Sequence, residues 1–323
     1  MKKLITLLFS IALLVGITGC KKEKTESLHI GLMKSLLSVP YYYAQEQGIF
    51  EKYGVDVKLE LYNSAKDRDA AFKGNKINGV STDLVAALLY LNSGKDIVIT
   101  SQTEEKFRLV TRKDYGVTSV EDIQKAKIGL SENTVIDYLV DYVMKENNIT
   151  LVEQNNIDEN NQDKVYARIP IPVVPDRFSL LKEGKIDMAI IPEPFPSLMI
   201  AEGGVELWNN IDEDLYVTCF VVDKNFAESN YEMIKNMNLA LNEAIKEMME
   251  GSYEDYKHII TDPAHVLIPE KSLGIVEQQV FHPLKNPSQD TFEDVLAWCK
   301  EKNIISKDYQ LKEILFPYQL EDQ

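Results

Sequence analysis

Residues 28–57 read LHIGLMKSLLSVPYYYAQEQGIFEKYGVDV, and they contain one complete strand–helix–strand unit. Residues 28–33 are mostly apolar and predict a strand. Pro40 then stands where a helix can begin, because its fixed φ angle and missing N–H suit the first helical position. Gly48 ends that helix, and residues 55–61 alternate apolar with polar side chains in the manner of a second strand. The stretch therefore predicts an α/β fold.

The alternation of strands and amphipathic helices continues along the chain, which is typical of an α/β architecture. No internal repeat and no low-complexity segment is visible, and the part after residue 228 is almost entirely helical by its pattern. Further strands are predicted at residues 77–80, 97–101, 107–112, 127–130, 169–173, 186–191 and 216–222, and further helices at residues 68–73, 83–92, 119–125, 135–145, 176–182 and after Pro196.

The N-terminus has the order of a secretory signal. Two lysines precede an apolar run over residues 4–17, which is too short to favour a membrane-spanning helix. Small residues stand directly before Cys20, a pattern that resembles the lipobox of bacterial lipoproteins. We expect residues 1–19 to be removed, Cys20 to carry lipid at the extracytoplasmic face of the cell membrane, and residues 20–27 to form a polar tether. An ordinary buried or membrane-spanning start is the alternative.

The composition is that of a globular protein with an acidic surface. Hydrophobic residues make up 45% of the chain, and no second apolar run approaches membrane-spanning length. The formal net charge of −16 repels nucleic acid, so a nucleic-acid-binding function is excluded. After Cys20 only Cys219 and Cys299 remain, and they form either a disulfide or two buried thiols.

Three segments carry a resemblance to a known family. The most specific is residues 40–57, PYYYAQEQGIFEKYGVDV; the others are residues 74–83 and residues 180–187, the last followed by Glu193 and Pro194. In this order they resemble the extracytoplasmic solute-binding proteins of ABC importers. That group includes the binders of nitrate, sulfonate and taurine and the thiamine-pyrimidine (NMT1/THI5-like) proteins. The resemblance covers most of the chain behind Cys20.

The resemblance implies a two-lobed, periplasmic-binding-protein-like type II fold with a ligand cleft between the lobes. The length agrees, because one hydrophobic core rarely grows beyond ~250–300 residues. Closure on a ligand would need contacts from both lobes, with hinge candidates at residues 109–114 and 214–218. The expected parts are lobe 1 over residues 28–110, lobe 2 over residues 111–215, and a return to lobe 1 with C-terminal helices over residues 216–323.

Ligands of such sheets bind beyond the carboxyl ends of strands, where helix N-termini expose backbone N–H groups. Helix capping is an alternative role for the serines found there, and packing of the lobe surface is the alternative for the tyrosines and Phe195. The candidate ligand-binding residues are Ser35, Leu37, Ser38, Tyr41, Tyr42, Ser81, Thr82, Asp83, Ser131, Asn133, Thr134, Glu193 and Phe195.

Glu193 is the most informative acid, because Pro192 and Pro194 hold its backbone rigid. Its carboxylate can accept two N–H bonds from an amino-heterocycle, with a structural salt bridge as the alternative. Lys34 is the only clear cation near the predicted cleft, so a small anion is disfavoured. We therefore expect a thiamine-related pyrimidine or a similar heterocycle as the ligand, and nitrate, sulfonate or taurine-like anions as the alternative.

Two other classes of function compete with solute binding. The pyrimidine-synthase relatives are enzymes that use an active-site histidine and clustered cysteines, whereas the four histidines here are scattered and no metal or nucleophile motif occurs. We predict no catalytic residue, no metal and no cofactor. The third class is a surface protein that binds partner proteins through the acidic residues 147–164, but this segment has no aromatic anchor before Tyr166.

The expected function is the capture of a small organic solute and its delivery to an ABC permease and its ATPase. The chain is expected to act as a monomer. The lipid on Cys20 would hold it near the permease and raise its effective concentration there without any new protein contact.

Overall fold

The computed structural model describes residues 26–157, 163–262, 264–265, 268, 273–276, 280–318 and 320. The predicted signal sequence, Cys20 and residues 21–25 of the tether lie outside these residues. Among the described residues, no helix is both long and apolar enough to cross a membrane.

The strands are numbered in the order in which they occur along the chain. They are β1 (Leu28–Met33), β2 (Val57–Tyr62), β3 (Gly79–Asp83), β4 (Ile97–Thr103), β5 (Phe107–Thr111), β6 (Lys125–Leu130), β7 (Thr150–Leu151), β8 (Val165–Pro170), β9 (Met188–Pro192), β10 (Val205–Asn209) and β11 (Thr218–Asp223).

The helices follow the same order. They are α1 (Val39–Glu46), α2 (Ile49–Lys52), α3 (Ala65–Lys73), α4 (Leu84–Asn92), α5 (Val135–Glu146), α6 (Val174–Lys182), α7 (Phe195–Ala201), α8 (Lys224–Ser229), α9 (Tyr231–Glu250), α10 (Tyr253–Thr261), α11 (Leu273–Val276), α12 (Gln289–Glu301) and α13 (Leu311–Ile314).

The described strands form two sheets. The first has the order β2-β1-β3-β11-β4, in which β1 is parallel to β2 and β3 while β11 is antiparallel to β3 and β4. The second has the order β10-β5-β9-β6-β8-β7, in which β6 is parallel to β8 and β9 while β5 is antiparallel to β9 and β10. We call the first sheet with its helices lobe 1 and the second lobe 2. The predicted two-lobed α/β fold is confirmed.

Several helices start where the sequence places capping residues. The Asp83 carboxylate accepts a hydrogen bond of 2.8 Å from the Ala86 N–H at the start of α4. Thr134 Oγ1 accepts one of 3.3 Å from the Ile136 N–H at the start of α5. Pro40 stands in the first turn of α1, as predicted. Each cap satisfies an N–H that has no partner within its helix. The caps therefore fix two strand-to-helix turns: the one before α4 in lobe 1, which faces lobe 2, and the one before α5 in lobe 2, which faces lobe 1.

Some elements differ from the sequence prediction. The helix predicted at residues 119–125 is only a 3-10 turn (Val120–Asp122), after which β6 begins at Lys125. The strand predicted at residues 169–173 is β8, which ends at Pro170. Residues 280–288 are neither helix nor strand, although the pattern predicts helix there. The edge strands β7 and β10 were missed, because a short edge strand carries little hydrophobic periodicity.

Two segments carry the chain between the lobes. Residues 104–106 lead from β4 to β5, and residues 210–217 lead from β10 back to β11. Asn210 joins the two segments: its Nδ2 donates to the Glu105 carbonyl at 3.2 Å and to the Leu215 carbonyl at 3.0 Å. Its Oδ1 accepts from the Phe107 N–H at 2.7 Å. The side chain is 1% exposed, so these bonds hold the two crossings as one unit.

The predicted first crossing lies elsewhere. Residues 109–114 form the end of β5 and the turn after it, inside lobe 2. The boundary expected between residues 110 and 111 falls within β5, because the chain already enters the second sheet at Phe107. The second hinge candidate, residues 214–218, overlaps the return segment at residues 210–217.

Helix α12 packs against both lobes. One apolar cluster runs from α4 of lobe 1 through α12 to α5 of lobe 2. Trp298 of α12 stands edge-on to the Tyr138 ring at 5.6 Å between centroids, and its Nε1–H donates to Asp141 Oδ2 at 2.9 Å. We call this contact the α12 seam. Cys299 lies in it as a free buried thiol, and Cys219 of β11 is another, so the two cysteines are unpaired.

The two lobes contain the same packing unit. In lobe 1, a Cβ atom on Gly31 would lie 2.4 Å from Ile77 Cδ1 and 3.4 Å from Arg68 Cγ. In lobe 2, a Cβ atom on Gly129 would lie 2.4 Å from the Cδ1 atom of an isoleucine and 3.1 Å from the Cγ atom of an arginine. These two residues are Ile186 and Arg177.

The spacing in the sequence repeats as well, since each arginine stands nine residues before its isoleucine. A hydrogen bond also recurs at the start of each unit. The His29 N–H donates to Asn78 Oδ1 at 2.8 Å in lobe 1, and the Lys127 N–H donates to Asp187 Oδ2 at 2.7 Å in lobe 2. We call this shared packing unit the repeat; it lies in the packing of the two lobes, whereas the sequence prediction concerned repeated stretches of sequence.

Candidate ligand-binding site

A cleft lies between the lobes at the carboxyl ends of β1, β3, β6 and β9. Its empty space amounts to about 670 Å³, including open solvent at its mouth. Its lining residues are Leu32, Met33, Ser35, Leu37, Ser38, Ala65, Arg68, Ser81, Thr82, Asp83, Glu105, Phe107, Ser131, Thr134, Val135, Ile136, Pro172, Val174, Arg177, Pro192 and Thr218.

The cleft brings together many of the residues that the sequence predicts as ligand contacts. Both lobes contribute, because the strand-to-helix turns of β1 and β3 face those of β6 across the space. The predicted residues that line it are Ser35, Leu37, Ser38, Ser81, Thr82, Asp83, Ser131 and Thr134.

The predicted tyrosines do not line this cleft. Tyr41 is 2% exposed, packs on Phe220 at 6.0 Å between ring centroids, and borders a separate cavity under residues 281–285. The Tyr42 ring lies 4.0 Å from the ring of His265, a residue that follows α10 in the chain. Consecutive helical residues point about 100° apart, and the two tyrosines, both part of the apolar cluster of lobe 1, find different partners.

Asn133 and Phe195 also lie outside the lining. Asn133 has a positive φ angle of 56°, and its N–H donates to Asp137 Oδ2 at 3.0 Å. It therefore shapes the turn before α5. The Phe195 ring packs on the Phe178 ring at 5.2 Å between centroids, inside lobe 2.

Glu193 points into lobe 2 instead of the cleft. Its Oε1 lies 2.8 Å from Arg108 Nη1, and its Oε2 accepts a hydrogen bond of 3.4 Å from the Ser197 N–H. Burial raises the pKa of Glu193, and the Arg108 guanidinium opposes that rise. The salt-bridge alternative is therefore the observed one, and Glu193 does not line the cleft.

Arg68 of α3 lies in the lobe 1 wall, where the sequence prediction placed no cation. Its Nη1 donates to the Ser81 carbonyl at 3.1 Å and its Nη2 to Thr82 Oγ1 at 2.7 Å. Nη2 also lies 2.8 Å from Asp69 Oδ1 and 3.8 Å from Asp83 Oδ2. This guanidinium therefore fixes the end of β3 and has two carboxylates close to it.

Arg177 of α6 lies in the lobe 2 wall and is 1% exposed. Its Nε and Nη2 donate to the Ile171 carbonyl at 3.0 and 2.9 Å, and its Nη1 donates to the Ile190 carbonyl at 3.1 Å. Both acceptors are backbone oxygens. Burial lowers the pKa of Arg177 to about 10, which leaves the side chain protonated at neutral pH.

Glu105 belongs to the first crossing segment and lines the cleft beside Ser35. It is 7% exposed, and its Oε2 accepts a hydrogen bond of 2.6 Å from Ser35 Oγ. Burial raises the pKa of Glu105 to about 8, and the Ser35 hydrogen bond only partly opposes this. The carboxyl group is therefore mostly protonated at neutral pH and can act as a hydrogen-bond donor.

Asp83 caps α4 at the lobe 1 wall. Burial raises its pKa to about 6, against the opposing effect of the Arg68 guanidinium and the Ala86 N–H. It is therefore mostly ionised at pH 7. Asp83 and Asp69 together make the lobe 1 wall the negative side of the cleft.

Three residues of the cleft lining, Arg68, Arg177 and Glu105, were not among the predicted ligand contacts. The two arginines could have been found from the sequence, although not from its local pattern. Arg68 and Arg177 each stand nine residues before an isoleucine, and this shared spacing marks them as equivalent positions of the repeat. Glu105 has no such signal, because its place in the cleft depends on where the chain crosses between lobes. Among the described residues, no group of three His, Cys, Asp or Glu side chains could hold a metal ion.

Comparison with known proteins by sequence gave one family match. The model of the NMT1-like family matches residues 21–254. No curated protein matches the chain by sequence.

Solved structures share the fold over nearly the whole chain. The periplasmic aliphatic sulphonate binding protein SsuA from Escherichia coli is similar with a TM-score of 0.71 and 15% identity, over 92% of this chain and 94% of that one. SsuA from Xanthomonas axonopodis pv. citri bound to MOPS has a TM-score of 0.72 and 12% identity, over 90% and 98%. The desulfurization enzyme DSZB has a TM-score of 0.62 and 15% identity, over 90% and 96%.

Proposed function

The chain belongs to the NMT1-like family, and from this premise we propose that it binds a small organic solute outside the cytoplasm and delivers it to the permease of an ABC importer. One observation carries the proposal: the cleft is lined by polar groups from both lobes and by the crossing segment that joins them. A ligand that contacts both walls stabilises the closed arrangement over an open one.

The similar structures support this function at the level of the fold. Two of them are sulfonate-binding proteins, and they share the two-lobed architecture over almost their full length. The third is an enzyme, so the fold alone does not decide between binding and catalysis. The cleft lining contains no histidine and no cysteine among the described residues, which favours binding.

The location at the membrane is part of the proposal. Cys20 would be the lipid-bearing N-terminus, with the permease and its ATPase as partners and a monomeric binding protein. Growth with labelled palmitate tests the anchor, because the label should enter the natural protein and be absent from Cys20→Ser. Label in both proteins would contradict the lipidation of Cys20.

The expected pyrimidine ligand loses its main support in the structure. It depended on Glu193 facing the ligand, whereas Glu193 pairs with Arg108 inside lobe 2. The argument against anions depended on the lack of a nearby cation, whereas Arg68 and Arg177 both line the cleft. A pyrimidine could still use the protonated Glu105 carboxyl group, so it stays in the test as a competitor.

Solute binding is tested by native mass spectrometry and calorimetry on protein purified without denaturation. A retained small molecule should be displaced by added ligand, and Ser131→Trp should abolish binding because the ring fills the cleft. Ser179→Trp is the matched control, since Ser179 lies on α6 away from the cleft lining. Equal loss in both variants, or no bound solute in any preparation or titration, would contradict the proposal.

Catalysis is tested on the same preparations. We expect each bound solute to be recovered unchanged by mass spectrometry after prolonged incubation. Conversion of a solute by the natural protein but not by Ser131→Trp would favour an enzyme.

A further inference from the structure

The repeat gives the cleft two equivalent arginines, one in each wall. Arg68 packs on Gly31 and Ile77 in lobe 1, and Arg177 packs on its counterparts in lobe 2. Nη1 of each donates to the carbonyl of the central strand behind it, Ser81 in lobe 1 and Ile190 in lobe 2. The two guanidinium groups therefore occupy corresponding places, and differences around them reflect different roles.

The countercharges differ between the lobes. In lobe 1, Asp69 follows the arginine directly and Asp83 ends the central strand, and both lie within 4 Å of the guanidinium. The corresponding positions in lobe 2 are Phe178, which follows its arginine, and Pro192, which ends β9. Lobe 2 thus keeps the cation of the repeat and lacks both of its carboxylates.

The charge of Arg177 is not balanced within the described part of the chain. Its three hydrogen bonds use three of five N–H donors, and all go to backbone carbonyls. Burial is the one influence that shifts its pKa, with no charged neighbour contributing. A buried guanidinium without a carboxylate is costly, so this arrangement is expected where an outside partner supplies the charge.

The other charged groups of the cleft do not supply it. Asp83 and Asp69 lie beside Arg68, on the opposite wall. Glu105 is buried at the crossing and is mostly protonated at neutral pH. The cleft is therefore negative on the lobe 1 side and positive on the lobe 2 side.

The rest of the lining sets the chemistry of the ligand's body. About half of the lining side chains are apolar, and they come from both lobes, so an apolar ligand body would find contacts on both walls, which an inorganic ion would not use. The start of α5 also faces the cleft in lobe 2, where its N-terminal N–H groups favour negative charge. These apolar residues are Leu32, Met33, Leu37, Ala65, Phe107, Val135, Ile136, Pro172, Val174 and Pro192.

We propose that the ligand is an organic acid with an apolar body, and that Arg177 binds its acidic group on the lobe 2 wall. This inference rests on the proposed function and names the ligand class of the same cleft. It assigns Arg177 a direct contact with the ligand and leaves Arg68 as the residue that holds the end of β3.

Matched pairs of ligands test the acidic group. We would titrate the protein, freed of retained solute, with hexanesulfonate and hexanesulfonamide, with benzoate and benzamide, with nitrate, and with a 4-aminopyrimidine. Each acid should bind at least ~30-fold more tightly than its amide, because the amide leaves the buried cation unpaired. Nitrate should bind more weakly than the organic acids.

Matched variants test the residue. Phe178→Asp places a carboxylate where lobe 1 has Asp69, and it should weaken acid binding ~10-fold or more relative to Phe178→Asn, which has the same size and no charge. Arg177→Met should lose the preference for acids over amides. Circular dichroism and thermal unfolding identify folded variants, and the Asp and Asn pair keeps the test valid if Arg177→Met does not fold.

The outcomes separate this inference from the function it rests on. Equal binding of acids and amides, or equal acid binding by Phe178→Asp and Phe178→Asn, would overturn the role of Arg177 while solute binding stands. A 4-aminopyrimidine that binds more tightly than every acid would also overturn the role of Arg177 while solute binding stands. If no probe binds and no solute co-purifies, the proposed function itself fails, and this inference fails with it.

Discussion

The buried carboxyl group of Glu105 should make the stability of the protein depend on pH in a defined direction. Its pKa rises from an ordinary value of 4.5 to about 8 in the folded protein. Between these values the folded state holds a proton that the unfolded state has released, so the free energy of unfolding falls as pH rises. The contribution is fully present below pH 4.5 and is lost by the time the pH has passed 8.

The size of this effect follows from the shift. Each pKa unit corresponds to about 1.4 kcal/mol, so raising the pH from about 4.5 to above about 8 should remove at most about 5 kcal/mol. Glu105→Gln keeps the shape and can still accept the Ser35 hydrogen bond, but it cannot titrate. Asp83 titrates at lower pH in both proteins and cancels in the comparison.

Urea unfolding of the ligand-free natural protein and of Glu105→Gln at half-unit steps from pH 5 to pH 9 measures the difference. We expect the natural protein to lose stability relative to the variant as pH rises, with most of the change between pH 5 and pH 8. Glu105→Asp is a control that keeps a titratable group. Parallel stability curves for the natural protein and Glu105→Gln would refute a proton held on Glu105.

Three further substitutions test the packing around the cleft. Asn210→Ala removes three buried hydrogen bonds that join the crossings and should cost about 2–4 kcal/mol in the free energy of unfolding, whereas a loss below about 1 kcal/mol would contradict the described network. Trp298→Phe keeps the ring in the α12 seam but loses the bond to Asp141, and urea unfolding should show a loss of about 1 kcal/mol. Gly129→Ala places a methyl group 2.4 Å from Ile186 Cδ1 and should lower stability by about 1–3 kcal/mol, while an unchanged melting temperature would argue against the repeat's close packing.

Much of the fold could be predicted, because it depends on local patterns. Apolar runs and helix starts at Pro40, Asp83 and Thr134 indicate the alternating elements and the turns that face the cleft. The crossing at residues 104–106 could not be predicted, since β4 and β5 read as neighbouring strands of equal character. Only the pairing of each strand shows that they belong to different sheets.

The turns that form the candidate site could be predicted from the sequence, whereas the positions of its charged side chains could not. Glu193 stands between prolines at a strand end, yet its direction depends on Arg108, which reaches it from the neighbouring strand β5. Arg68 and Arg177 read as ordinary exposed helical residues, because a helix pattern does not show when a long cation is buried. The spacing shared by the two arginines was present in the sequence and is the clue that should be sought in such chains.

The α12 seam bears on how the protein would release what it binds. A helix that packs on α4 and α5 at once must separate from one of them if the lobes move apart, and this exposes apolar side chains such as Trp298 to water. Each Å² of apolar surface uncovered costs about 25 cal/mol, so the α12 seam favours the arrangement in which the lobes stay together. A docking partner that bound α12 and separated it from α5 would lower the barrier to opening of the lobes. Ligand release would then be fastest at that partner, where delivery of the ligand is needed.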